Sequence, residues 1–124
     1  ERTRLTSLVA AADSARRTGS DDEAITALSE IVEHYPGTAD APNAALTLGR
    51  LHSEHGRHRA AAEAYRRALG LSPPPALAEL AYERLVSELV TLGERTEARE
   101  VAASYRQLFG RGASARAIDE LVEP

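Results

Sequence analysis

Cysteine, methionine, tryptophan and lysine are absent from the 124 residues, and phenylalanine occurs once. Each absence closes off a class of explanation. Without thiols there is neither a disulfide framework nor a thiolate zinc site, and the redox compartment stays open between periplasm and cytosol. Without lysine, all fifteen basic residues are arginine, which together with abundant Ala and Gly suggests a GC-rich genome. Without methionine, initiator included, the segment is expected to be a domain excised from a longer protein whose anchor or targeting signal lies elsewhere. No apolar run approaches the roughly 20 residues a membrane helix needs and no signal peptide opens the chain, so this segment is not expected to insert in a membrane. A net charge of -4 argues against phosphate-driven binding, which needs a clustered basic surface, and nucleic acid is not an expected partner.

What is present is small and helix-forming. Apolar residues make up 43% of the chain and are mostly Ala, Leu and Val, a mix suited to close packing of helices. The length fits one domain over residues 1–124. An internal repeat organises it: Gly19, Gly56 and Gly93 are 37 residues apart, as are Ala24, Ala61 and Ala98. The same interval links Leu28, Tyr65 and Ala102, then Ile31, Ala68 and Tyr105, then Pro36, Pro73 and Gly110. Between these marks the apolar residues follow helical spacing, as in Leu5, Leu8, Val9 and Ala12, or Ala81, Leu85, Leu89 and Leu92.

The physical reading is a helical hairpin repeated three times. The first Gly of each unit belongs at the tight turn where a helix ends on a left-handed residue, and the later Pro or Gly ends the second helix. Ser20 and Glu23 form a capping-box pair, which starts the second helix near Asp21. Pro42 falls in a first helical turn, and Pro73, Pro74 and Pro75 enforce an extended link. Helices are expected near 4–18, 21–35, 41–55, 58–70, 76–92 and 95–109. A seventh near 114–122 presents Ala115, Ile118, Leu121 and Val122, and its polar side closes the stack.

These residues resemble the tetratricopeptide repeat, with Leu48, Gly49, Gly56, Ala61, Tyr65, Ala68 and Pro73 of the middle unit at the family's marked positions. The first unit keeps Leu8, Gly19, Ala24, Leu28 and Pro36, with Ala12 as its small residue. The third has Val86 for the glycine and Gly110 for the proline. The resemblance implies an all-α fold, a right-handed α-solenoid of three hairpins at about 5–38, 42–75 and 79–110 plus a C-terminal capping helix. The run His34 to Thr38 leading to Ala41 to Leu46 is similar to bacterial cell-envelope members, such as the Tol-Pal coordinator and the outer-membrane assembly lipoprotein. The segments Thr47 to Leu51, Ala68 to Pro74 and Arg84 to Val86 resemble the C-terminal repeats of FecR-like anti-sigma regulators. Both place the chain at the bacterial envelope or periplasm, with the cytoplasm also open.

By the family pattern the first helix of each pair lines a concave groove that binds a peptide or partner domain. The groove is then expected to show Thr6, Val9, Asp13 and Arg17, followed by Asn43, Leu46, Arg50, Ser53 and Glu54, and by Leu80, Glu83, Ser87 and Val90. Leu46, Leu80 and Val90 would receive an apolar segment while Arg17 and Arg50 hold a carboxylate. The family's clamp on chaperone C-terminal tails needs Asn and basic residues where Val9, Asp13, Glu83 and Ser87 stand, so such tails are not the expected ligand. The alternative role is a structural or self-oligomerising scaffold packed through Ala60 to Ala64, although a monomer is favoured.

His52, His55 and His58 form the one cluster that suggests metal chemistry. Gly56 should end the helix that carries the first two, so one packed and two exposed imidazoles are expected, with no metal and no cofactor. No nucleophile elbow, phosphate-binding glycine loop or zinc-protease motif occurs, and the expected protein is not an enzyme.

Overall fold

The computed structural model describes residues 2–123. Among them are seven helices and no strand: α1 Arg2–Arg17, α2 Asp21–His34, α3 Asp40–Glu54, α4 His58–Leu69, α5 Pro75–Thr91, α6 Arg95–Phe109 and α7 Ala115–Val122. Every boundary falls within two residues of its expected place. The domain expected over 1–124 takes in Glu1 and Pro124, which lie outside the described residues.

The hairpin turns repeat atom for atom. Gly19, Gly56 and Gly93 have φ of +78°, +74° and +80°, the left-handed conformation that lets a helix stop without a Cβ clash. The amide after each glycine reaches back across the last turn, Ser20 to Ala15 O at 2.7 Å, Arg57 to His52 O at 2.9 Å and Glu94 to Leu89 O at 2.9 Å. This geometry corrects one expectation. Ser20 is the N-cap of α2 by position but makes no side-chain cap bond, and its hydroxyl lies 3.3 Å from Thr18 Oγ1. A capping box needs the Ser20 amide for Glu23, and that amide already serves the carbonyl of Ala15.

A Cβ built on Gly56 meets nothing within 4 Å, so only the backbone resists substitution there. Gly56→Val is expected to cost about 1–3 kcal/mol, and Gly56→Asn clearly less, because asparagine tolerates the left-handed region and a β-branched residue does not. Urea denaturation checks this, and equal losses would shift the cause from backbone to side-chain packing.

Inside the hairpins, size is balanced across the repeat. Register pairs Ala12 with Leu28, Gly49 with Tyr65 and Val86 with Ala102, and all six residues are buried. In the middle unit the fit is direct: a Cβ on Gly49 would lie 2.5 Å from Tyr65 Cε1. Where Tyr65 is replaced by its equivalent Ala102, the glycine is replaced by Val86, so one large and one small partner persist with their places exchanged.

Successive helices pack in chain order, α3 also touches α5, and α1 faces α3 across a shared hollow, so α1, α3 and α5 form the inner layer. The outer layer is joined by long side chains, Arg59 to Glu94 at 3.2 Å and Arg66 to Glu97. Glu97 thus pairs across hairpins. At the far end α7 lies on α5 and α6 and seats Ile118 at 0% exposure. The Ser114 amide donates to the Tyr105 hydroxyl at 3.0 Å and to Glu79 Oε1 at 3.3 Å, and the Tyr105 hydroxyl donates to the same carboxylate at 2.5 Å. Tyr105 stacks on Phe109 and meets Tyr82 edge-on, with centroids 5.1 and 5.8 Å apart. Helix α7 is thereby tied into the third hairpin through polar as well as apolar contacts.

Candidate functional site

Two hollows follow one another along the inner layer. The first holds about 100 Å³ between α1 and α3, with Val9, Asp13 and Arg16 facing Asp40, Asn43 and Thr47 over a floor of Ala12, Leu28, Ile31 and Ala44. The second holds about 200 Å³ between α3 and α5, where Leu46 and Arg50 face Leu77, Leu80 and Arg84, with Arg16, Asn43 and Thr47 shared from the first. They are repeats of each other. A shift of 37 residues carries Val9 to Leu46, Asp13 to Arg50, Asp40 to Leu77, Asn43 to Leu80 and Thr47 to Arg84.

Of the expected groove residues, Val9, Asp13, Asn43, Leu46, Arg50 and Leu80 line this trough. Leu46 does so from below, since it is only 9% exposed and belongs to the core, which leaves its edge as floor. Thr6, Arg17, Ser53, Glu54, Glu83, Ser87 and Val90 line neither hollow. Thr6 is exposed and bonds the carbonyl of Arg2, and Glu54 is the partner of Arg50 at 3.0 Å. Arg16 stands in the trough where Arg17 was expected, one step of about 100° around the helix. Asp40, Thr47, Leu77 and Arg84 line the trough from outside the expected set, although the repeat interval ties Leu77, Leu80 and Arg84 to Asp40, Asn43 and Thr47.

The trough is underlain by polar groups held in the core. Tyr65 is 1% exposed, and burial pushes its hydroxyl above the usual phenol range against the opposing pull of the Arg84 and Arg50 guanidinium groups. Glu88, 6% exposed, accepts from His58 Nδ1 at 2.7 Å, which joins α4 to α5. Replacing His58 with Leu strands that carboxylate, and a loss of about 1–3 kcal/mol is expected, most of it regained when Glu88→Leu is added. Thermal unfolding of the single and double variants tests this, and an additive double would mean that the two groups are independent.

The three clustered histidines part company in space. His52 Nδ1 accepts from Arg57 Nε at 3.1 Å, His55 reaches Asp21 at 2.9 Å and His58 turns to Glu88. Burial, aided by Arg57 and His55, holds the His52 imidazole below its usual range. Among the described residues no group of three or more His, Cys, Asp or Glu side chains could hold a metal ion.

A wider gap of about 800 Å³ lies at the edge between the linkers, bordered by Pro36 to Ala39 and Gly70 to Pro74. Prolines, Thr38, Leu71 and Ser72 line it, with Arg67 as its one charged side chain. The trough, by contrast, sets guanidinium groups over an apolar floor. No helix among the described residues is long and apolar enough to cross a membrane. A search of curated proteins gives no match to the chain. The profile of one family, described as tetratricopeptide repeat, matches residues 3–73, which span α1 to α4 and more than half of the chain.

Proposed function

Because the chain belongs to the tetratricopeptide repeat family, whose hairpins generally join protein partners and are typically not catalytic, we propose that it is a docking module whose trough between α1, α3 and α5 takes a peptide or segment of a partner protein. The observation that carries this reading is the repetition of a lined hollow at each junction of the inner layer, with exposed or half-buried polar side chains over an apolar floor. Hollows repeated at one hairpin interval suit an extended chain, which presents side chains at a fixed rise. The scaffold alternative has less support, because Ala61 and Ala62 of the run suited to self-packing are buried in the core.

The biological setting we favour is a bacterial envelope or membrane-anchored regulatory protein, supported by the similarity of His34 to Leu46 to envelope repeats. Photo-crosslinking tests the docking role in the cell that encodes the chain. A crosslinker at Asn43 or Leu80 should capture one shared partner that a crosslinker at Glu63, exposed on the outer layer, does not. Capture of the chain's own copies alone, or equal capture from both layers, would count against the trough.

A further inference from the structure

The two hollows repeat in place but not in charge. The first has Asp13 and Asp40 around Arg16, and at the equivalent positions the second has Arg50 and Leu77. With Arg84 for Thr47, the second hollow is lined by three guanidinium groups and no carboxylate, in a chain of net charge -4. These arginines are partly spoken for to different degrees. Arg50 donates to Glu54 at 3.0 Å on one side, Arg16 lies 3.9 Å from Asp13, and Arg84 has no carboxylate within salt-bridge distance among the described residues.

Resting on the docking reading above, we infer that the trough selects a segment with an acidic side chain seated among Arg16, Arg50 and Arg84 and a small aliphatic side chain in the neighbouring hollow. Size and spacing set the details. The hollow of about 200 Å³ takes a carboxylate side chain among its arginines and against Leu77 and Leu80, and the smaller one of about 100 Å³, floored by Ala12, Leu28, Ile31 and Ala44, suits a small aliphatic side chain. Inner helices spaced as packed helices are, about 8–10 Å apart, are spanned by about three residues of a polyproline II segment at roughly 3.1 Å each, whose three-residue turn points both side chains to the same side. The acidic and aliphatic residues are therefore three positions apart. Asp13 and Asp40 oppose the reverse seating, which fixes one order of the pair along the chain.

The test uses the full chain and an array of random, C-terminally amidated heptapeptides, so that only side-chain carboxylates can answer. Peptides with Asp or Glu three positions from Val or Ala, in one order, are expected to be enriched about ten-fold over their Asn or Gln counterparts, the scale of one charge-assisted contact. Arg50→Asp with Arg84→Thr puts the first hollow's residues at two of the second's positions, removes two of its three guanidinium groups and should abolish the acidic preference. Arg16→Gln, on an exposed helix face, should weaken it, and Arg17→Gln should leave it intact. No acidic enrichment at fixed spacing, or enrichment that survives all of these variants with melting unchanged, would overturn the inference. If the crosslinks at Asn43 and Leu80 persist in that case, the docking role stands and only the ligand class fails.

Discussion

Gly49→Val combined with Tyr65→Ala is expected to lose less stability than the two changes made separately, because the pair reproduces Val86 and Ala102 of the third hairpin. Alone, Gly49→Val drives a branched side chain into a ring that already stands 2.5 Å from a built Cβ. Overpacking of this kind costs about 1–3 kcal/mol, which outweighs the roughly 0.5 kcal/mol of helix propensity gained by leaving glycine. Tyr65→Ala alone empties a site at 1% exposure and is expected to cost about 3–5 kcal/mol. In the double variant the new side chain occupies part of the emptied volume, and a favourable coupling of about 1–2 kcal/mol should appear. A double-mutant cycle in urea measures it. Strict additivity would show that the two positions do not share space.

Ile118→Ala should release α7 while sparing the first two hairpins. Helix α7 has 8 residues, too few to be stable in water unaided, so it depends on what it touches. Ile118 is its one buried apolar residue, and truncation costs about 2–5 kcal/mol locally. In a solenoid each unit feels mainly its neighbours, so the loss should stay with α5 to α7. Hydrogen exchange should show the amides of residues 115–122 losing protection while those of α1 to α4 keep theirs. Equal loss throughout would mean that the stack unfolds as one unit and α7 is not a separable cap.

The turns were legible in the sequence because their chemistry is local. A residue that must adopt positive φ is written as glycine, and the interval of Gly19, Gly56 and Gly93 carried the whole register with it. The helix faces were legible for the same reason. Partners chosen across hairpins were not: the bonds of His55 to Asp21, His58 to Glu88 and Arg66 to Glu97 join residues about thirty apart, and no short-range pattern selects them. The trough fell between these cases. Asn43 and Leu80 were readable as inward residues, but the stripe through Glu83, Ser87 and Val90 is rotated from the one through Leu77, Leu80 and Arg84. Glu83 and Ser87 are the 37-residue equivalents of Leu46 and Arg50, which face the next inner helix, and α5 is followed by no such helix but by α7. The unsatisfied capping box has a similar origin, since two motifs compete for the Ser20 amide and the tighter turn takes it.

The most direct test of the trough is a chemical-shift map of the full chain titrated with the best-bound heptapeptide from the array. Shifts centred on Val9, Asn43, Thr47, Leu80 and Arg84, with α2, α4 and α6 little changed on their outer faces, are the predicted result. Shifts centred on the linker gap around Pro36 and Pro74, or on the outer helices, would contradict the assignment of the inner layer as the docking surface.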